Sequence, residues 1–431
     1  MLHRMIKKGS LYLNSLNNPI YLNSFYLMLS SLTASATGFI FWVIVARFYT
    51  VTDVGVASAI ISAVGLISVI SLLGLDISLV RFIPDNKCKT NELINTCVYL
   101  VVVISLVTSL VISLVVLSIG ILEDSPQTPN VEVLPIILIT LSLVTSVQSL
   151  QNQGIFVGLR KNKYSFFQTI SSVIRLGLVP ILAFVGSIGI ILAYGISSIF
   201  ALILGFVIMK KLDCFPHFRM NKSVLHKIIH FSLGNYIARV FEILPTYLMP
   251  LIIITMLNAE ASAYFYIAWS ISMLLLIISK SVSSSLLAEA THNPENIRSL
   301  LKRSLLWTFG LLIPTIITIC LSGEYVLLMF GSNYAENAYD ILIILGIASI
   351  PFSANTLYAT ACRIRGDVLS IILIYGIIGI STVVGSILSL QSFGLYGGAG
   401  SWMLANILAL IFVALNSSKF KRTQTTKVDV I

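Results

Sequence analysis

The sequence predicts an all-α integral membrane protein: twelve transmembrane helices in two six-helix, parallel-repeat bundles around a central cavity. Three observations predict it. Composition is the first, since 57% of the 431 residues are hydrophobic, only 10% are charged, and the mean hydropathy is +0.96. A soluble chain carries about 25% charged residues to cover its surface, so lipid is the solvent here. The second is the recurrence of apolar stretches of about 20 residues, the length that crosses a hydrocarbon core of roughly 30 Å. The third is the placement of charge. Lys and Arg collect in alternate connections, while the others are acidic.

Taken in order, residues about 1–22 set Arg4, Lys7 and Lys8 among Leu, Ile and Tyr, an amphipathic cytoplasmic segment lying on the membrane surface. Twelve spans follow, at about 23–46, 55–80, 93–119, 134–158, 165–186, 188–209, 231–256, 261–288, 303–322, 338–361, 368–390 and 395–416. The first is not a cleavable signal despite Ala34-Ser35-Ala36, because apolar sequence runs for about ten residues past that site. With the N-terminus in the cytoplasm, 23 of the 27 Lys and Arg fall on inner segments. They form clusters such as Arg81-Lys87-Lys89, Arg160-Lys161-Lys163 and Arg298-Lys302-Arg303. Only Arg47 lies at an outer end, where Asp53, Glu123, Asp124, Glu132, Glu260, Glu324, Glu336 and Asp340 also fall. A multi-pass protein of the plasma membrane with both termini cytoplasmic is expected. The net charge of +10 is accounted for by this asymmetry and calls for no nucleic acid partner.

A basic cytoplasmic linker, residues 212–230, divides the chain into an N-terminal bundle (23–211) and a C-terminal bundle (231–416), followed by a basic tail (417–431). Two outer turns mark a repeat. Tyr49-Thr50-Val51-Thr52-Asp53-Val54-Gly55 leads into span two, and Leu257-Asn258-Ala259-Glu260-Ala261-Ser262 into span eight. Six spans per half give both halves one orientation, an arrangement in which transporters commonly place substrate at the repeat interface.

Four charged residues remain at membrane depth: Arg175 on span five, Arg239 and Glu242 on span seven, and Lys280 on span eight. Charge facing lipid is costly, so these side chains face protein or a wet cavity. Three cations against one carboxylate form a candidate substrate-binding set for an anionic group. The structural alternative pairs Glu242 with Arg239 at i,i+3, or with Lys280 if spans seven and eight are neighbours. Pro180 and Pro245 follow these charges closely and predict a kink or a freed carbonyl there. His226 and His230 stand at i,i+4 without a third ligand and read as interfacial histidines. The five cysteines are scattered, Ser281 to Ser285 lack a base partner, and no nucleotide-binding loop occurs. No metal, cofactor or catalytic residue is expected.

Several short segments carry a resemblance. Gly74-Leu75-Asp76-Ile77-Ser78-Leu79-Val80-Arg81-Phe82-Ile83-Pro84, Ala46-Arg47-Phe48-Tyr49 with Asp53-Val54-Gly55, Leu328-Met329-Phe330-Gly331 through Ala335, and Gly394-Leu395-Tyr396-Gly397-Gly398 resemble polysaccharide-biosynthesis flippases. These form the oligosaccharide flippase branch of the multidrug/oligosaccharidyl-lipid/polysaccharide exporter superfamily. The resemblance implies a V-shaped pair of six-helix bundles, an alternating-access cycle and outward movement of polyprenyl-diphosphate-linked oligosaccharide. It implies membrane lipids, and glycosyltransferases and a polymerase of the same pathway, as partners. The matched motifs contain none of Arg175, Arg239, Glu242 or Lys280, whose candidacy rests on membrane physics. A multidrug or metabolite exporter of the same fold is the alternative, although binding organic cations calls for a more acidic interior. A membrane-embedded sugar polymerase or glycosyltransferase is a further one, and the short outer loop about 120–133 offers it little room.

Overall fold

The computed structural model describes residues 19–85, 90–119, 133–217, 221–292 and 297–416. Nearly all of the expected surface segment, the tail at 417–431 and the outer loop about 120–133 lie outside them. So do the side chains of His226 and His230.

The helices in chain order are α1 (Pro19–Phe48), α2 (Val51–Leu72), α3 (Leu75–Asp85), α4 (Thr90–Ile119) and α5 (Leu134–Ser149). A π-helix (Leu150–Ile155) and a last turn (Phe156–Gly158) extend α5. Then come α6 (Asn162–Ile170), a 3-10 turn (Ser171–Val173), α7 (Ile174–Ile181), a second 3-10 turn (Ala183–Val185) and α8 (Ser187–Lys211). The rest are α9 (Lys222–Met256), α10 (Ala259–His292), α11 (Ile297–Leu328), α12 (Ser332–Arg365), α13 (Val368–Phe393) and α14 (Leu395–Asn416). Among the described residues, eleven helical runs are long and apolar enough to cross a bilayer. The fifth expected span completes the twelve as a segmented helix over α6 and α7. Span two also ends earlier than its hydropathy suggests. Leu73 and Gly74 take φ of 45° and 72° and turn the chain out of α2 into α3. Glycine tolerates that conformation, whereas leucine is strained in it.

Local chemistry fixes several of these ends. The Thr50 hydroxyl donates to Asp53 Oδ2 at 2.6 Å and accepts the Asp53 amide at 3.2 Å, capping α2. Asn258 Oδ1 accepts the Ala261 amide at 2.8 Å and caps α10. The two turns that the sequence analysis pairs as a repeat are therefore both capped helix starts. Arg47, the exception in the charge count, is explained by the end of α11. Its Nε donates to the Met329 carbonyl at 2.7 Å and its Nη2 to the Leu328 carbonyl at 2.5 Å. A helix C-terminus exposes unsatisfied carbonyls and the negative pole of its dipole, and one guanidinium answers both.

Surfaces are inverted relative to a soluble protein. On α4 the exposed side chains include Val103, Leu106, Val107, Leu110, Val111 and Leu114, a stripe at helical spacing that meets lipid. In the apolar window of α2, 83% of residues are buried, against 17% for α11. Thus α2 is walled by protein and α11 borders the bilayer.

The described residues divide into two compact units. One draws on described residues within 19–41, 67–119 and 133–233; the other on those within 42–66 and 234–416. Compactness thus groups residues 42–66 with the later helices, a partition distinct from that of the sequence repeat. In the first unit, Leu75, Leu79 and Ile83 of α3 join Ile94 and Val98 of α4 and Leu150 and Phe156 in one apolar core. The second unit is built on α12, which packs against α10, α11 and α14. Two close crossings there have visible causes. A Cβ on Gly55 would lie 1.8 Å from the Ala259 carbonyl oxygen, so only glycine lets α2 pass the start of α10. Pro245 cannot donate to the Phe241 carbonyl, and a Cβ on Gly379 of α13 would lie 2.6 Å from that oxygen. The helix α9 itself runs on through Pro245 and Pro250.

Candidate functional site

In the second unit, the sequence left two partners open for Glu242, and the structure pairs it with Lys280. Lys280 Nζ lies 3.4 Å from Glu242 Oε1, with 54% of the lysine and 22% of the carboxylate side chain exposed. Arg239, half-buried, stands one turn before Glu242 on α9. Tyr375 of α13, buried at 3%, is within electrostatic reach of Glu242. The pair can be tested by exchange. Glu242→Lys or Lys280→Glu alone sets like charges about 4 Å apart, a repulsion of roughly 1 to 4 kcal/mol between the water and protein limits. Each single reversal is expected to lower the melting temperature of the detergent-solubilised protein, and the double reversal to restore most of it. Additive losses in the double variant would show that the two residues do not act as a pair.

In the first unit, Arg175 occupies the first turn of α7, directly after the 3-10 turn Ser171–Val173. Its guanidinium carbon lies 4.9 Å from the centre of the Phe41 ring, a cation–π contact. A Cβ on Gly38 would sit 4.0 Å from Arg175 Nη2, and Tyr194 of α8 is within electrostatic reach. Residues remote in sequence therefore hold the planar group in place, where sequence offered no neighbour. The four candidates thus fall on two units, with Glu242 and Lys280 in contact and Arg239 one turn away.

Sequence reasoning missed a polar network in the first unit. Gln168 Nε2 donates to Gln151 Oε1 at 2.9 Å and to the Ala201 carbonyl at 3.0 Å, and both glutamines are fully buried. Asn152 Nδ2 donates to Thr169 Oγ1 at 3.4 Å, Ser165 donates to Asn152 Oδ1, and Ser30 and Thr169 share a hydrogen bond at 2.7 Å. Gln151 and Asn152 lie on the π-helix, a geometry that often marks functional positions. Gly205 makes the space, since a Cβ there would meet Gln151 Oε1 at 2.0 Å. The signal was present as Gln148, Gln151, Asn152 and Gln153 inside an apolar span. Amides are buried in hydrocarbon only when they are bonded to one another.

Among the described residues no three His, Cys, Asp or Glu side chains come together. Cys97, Cys214, Cys320 and Cys362 are free thiols. Burial, with Asp213 beside it, pushes the Cys214 thiol up to about 11 and leaves it a poor nucleophile at neutral pH.

A family profile described as polysaccharide biosynthesis protein matches residues 20–288. No curated protein matches by sequence. Solved structures share the fold. An inward-facing multidrug resistance MATE family transporter of the MOP superfamily superposes with a TM-score of 0.71 at 14% identity, covering 91% of this chain and 96% of its own. The lipid II flippase MurJ in an inward closed conformation gives 0.71 at 14%, covering 92% and 87%. A MOP superfamily transporter from Pyrococcus furiosus, reported with reverse polarity of its binding pocket, gives 0.59 at 15%, covering 94% and 96%.

Proposed function

This chain belongs to the polysaccharide biosynthesis protein family, and on that premise we propose that it is a flippase for polyprenyl-diphosphate-linked oligosaccharide. It carries a repeat unit of polysaccharide or glycan from the inner to the outer leaflet by alternating access. The observation that carries the substrate class is the surplus of cations at membrane depth. By sequence, Arg175, Arg239 and Lys280 outnumber one carboxylate at that depth, Glu242, and a diphosphate supplies the anion that such cations bind in charge-assisted hydrogen bonds. A multidrug or metabolite exporter of the same fold is the rival reading. It needs an available acid for organic cations, and Glu242 is engaged by Lys280. No covalent chemistry is required of the chain. Glycosyltransferases supply the substrate and a polymerase consumes it.

The protein resides in the plasma membrane with both termini cytoplasmic. Impermeant maleimide on intact cells tests this orientation with cysteines at Gln127, expected to label, and at Lys163, expected not to. Lys163 is chosen because its neighbour Asn162 is only 4% exposed and would stay silent on either side. The function is tested by deletion. Lipid-linked oligosaccharide should accumulate on the inner leaflet and return to normal on complementation. Unchanged lipid-linked sugar together with new sensitivity to organic cations would favour the exporter.

A further inference from the structure

Three hydroxyls in the second unit behave unlike the others on their helices. Serine and threonine inside a membrane helix ordinarily donate to a carbonyl about one turn back. The Ser279 hydroxyl does so to the Leu276 carbonyl at 3.0 Å, Thr315 to Leu311 at 2.8 Å, and Ser349 to Gly346 at 2.5 Å. Ser283 of α10, Thr308 of α11 and Ser353 of α12 do not. Their side-chain oxygens have no hydrogen-bond partner among the described residues, although the residues are only 7%, 0% and 0% exposed. An unbonded hydroxyl is costly in an apolar interior, so three of them ask for one explanation.

Helix register brings the three to one region. The helices α10, α11 and α12 pack against one another. Leu275, Leu312 and Ile350 meet in one apolar cluster, and a Cβ on Gly346 would lie 3.9 Å from Leu275. From that level Ser283 lies eight residues along α10 from Leu275, and Ser353 seven along α12 from Gly346. Thr308 lies four residues back along α11 from Leu312. Because α11 runs opposite to its neighbours, all three shifts point toward the connection 293–296. At about 1.5 Å per residue they amount to about 12, 10 and 6 Å, a spread of about one turn. Offsets of four, seven and eight also keep each residue near the helix face that meets the cluster.

The chemistry of the three groups narrows what can join them. Hard cations gather about six oxygens, commonly with a carboxylate among them. The carbonyls freed by Pro314 and Pro351 belong to Gly310 and Ile347, both exposed, and Lys280 stands three residues before Ser283. Water asks for less. A buried water typically makes about three hydrogen bonds, and a hydroxyl can either donate to it or accept from it. Ser304, one turn from Thr308 toward the connection, lines an open cavity of about 480 Å³ between α10 and α11, which gives water a way in. We propose that Ser283, Thr308 and Ser353 bind an internal water that bridges α10, α11 and α12. The site stands apart from the transport reading, because none of the three belongs to the substrate set.

The test is a structure of the full-length protein in lipid nanodiscs, at a resolution that shows solvent. It is determined for the wild type and for a triple variant carrying Ser283→Ala, Thr308→Val and Ser353→Ala. The wild type should show a solvent peak about 2.7–3.2 Å from at least two of the three hydroxyls, and the triple variant should lose it. Valine keeps the shape of threonine, and each alanine removes a single oxygen atom. If the triple variant fails to fold, Thr308→Val alone takes its place, and the peak should then weaken. Melting temperature gives a second reading. Each single substitution strips the same water of a partner, so the triple variant should lose less than the sum of the three single losses. No peak in the wild type, a peak ringed by five or more oxygens at about 2.3–2.6 Å as for a cation, or additive losses would overturn the proposal.

Discussion

Arg175→Gln is expected to lower export of lipid-linked oligosaccharide roughly 10- to 150-fold, the factor carried by one charge-assisted hydrogen bond of about 1.5–3 kcal/mol. Membrane abundance and melting temperature should stay near wild type, because the glutamine keeps much of the volume over Phe41. Arg175→Lys should fall between them. Lysine keeps the positive charge but loses both the bidentate fork and the flat face that lies over the Phe41 ring at 4.9 Å. The measurement is the rate at which labelled lipid-linked sugar reaches the outer leaflet of vesicles holding each variant at equal amounts. A normally folded Arg175→Gln protein that exports at the wild-type rate would remove Arg175 from the substrate set. It would also leave the cation surplus resting on the second unit alone.

Gly55→Val is expected to have the larger effect on folding. Its first added carbon would lie 1.8 Å from the Ala259 carbonyl oxygen and 2.6 Å from the carbonyl carbon, and both are backbone atoms that cannot rotate away. Overpacking a core commonly costs about 1–3 kcal/mol, and more where backbone must shift. Most of the Gly55→Val protein should therefore be lost to aggregation or degradation, and any survivor should melt far below wild type. Gly177 supplies the contrast on α7. Nothing lies within 4 Å of a Cβ there, and Gly→Ala in a helix interior gains about 0.5–1 kcal/mol. Gly177→Ala should hold or raise the melting temperature. Equal tolerance of both substitutions, read by size-exclusion chromatography after heating, would show that the α2–α10 crossing is looser than described.

The spans were legible because bilayer thickness imposes one length on every crossing helix. What hydropathy does not carry is continuity. Residues 165–186 read as one apolar run, yet two 3-10 turns interrupt them, and only Gly177 and Pro180 hint at it. Span two runs apolar past residue 74, and its break is a matter of backbone angle at Leu73 and Gly74. The same limit applied to the site. The charges stood out against a sequence with 10% charged residues, but the choice of Lys280 over Arg239 as the ion-pair partner drawn for Glu242 depends on how α9 and α10 pack. Sequence spacing cannot give that. Gln151 and Gln168 carry no formal charge to mark them, yet a buried amide is also costly in hydrocarbon unless it is bonded.

Arg47 carries a consequence for how the chain is made. The carbonyl that its Nε holds belongs to Met329, 282 positions further on. At about 5–20 residues per second, a ribosome reaches Met329 some 14–56 s after Arg47. In the proposed orientation, α1 must settle its direction in the membrane while its outer arginine has no helix end to receive it. In that orientation Arg4, Lys7 and Lys8 must outweigh Arg47 during the interval, and the helix end that receives its guanidinium arrives only afterwards.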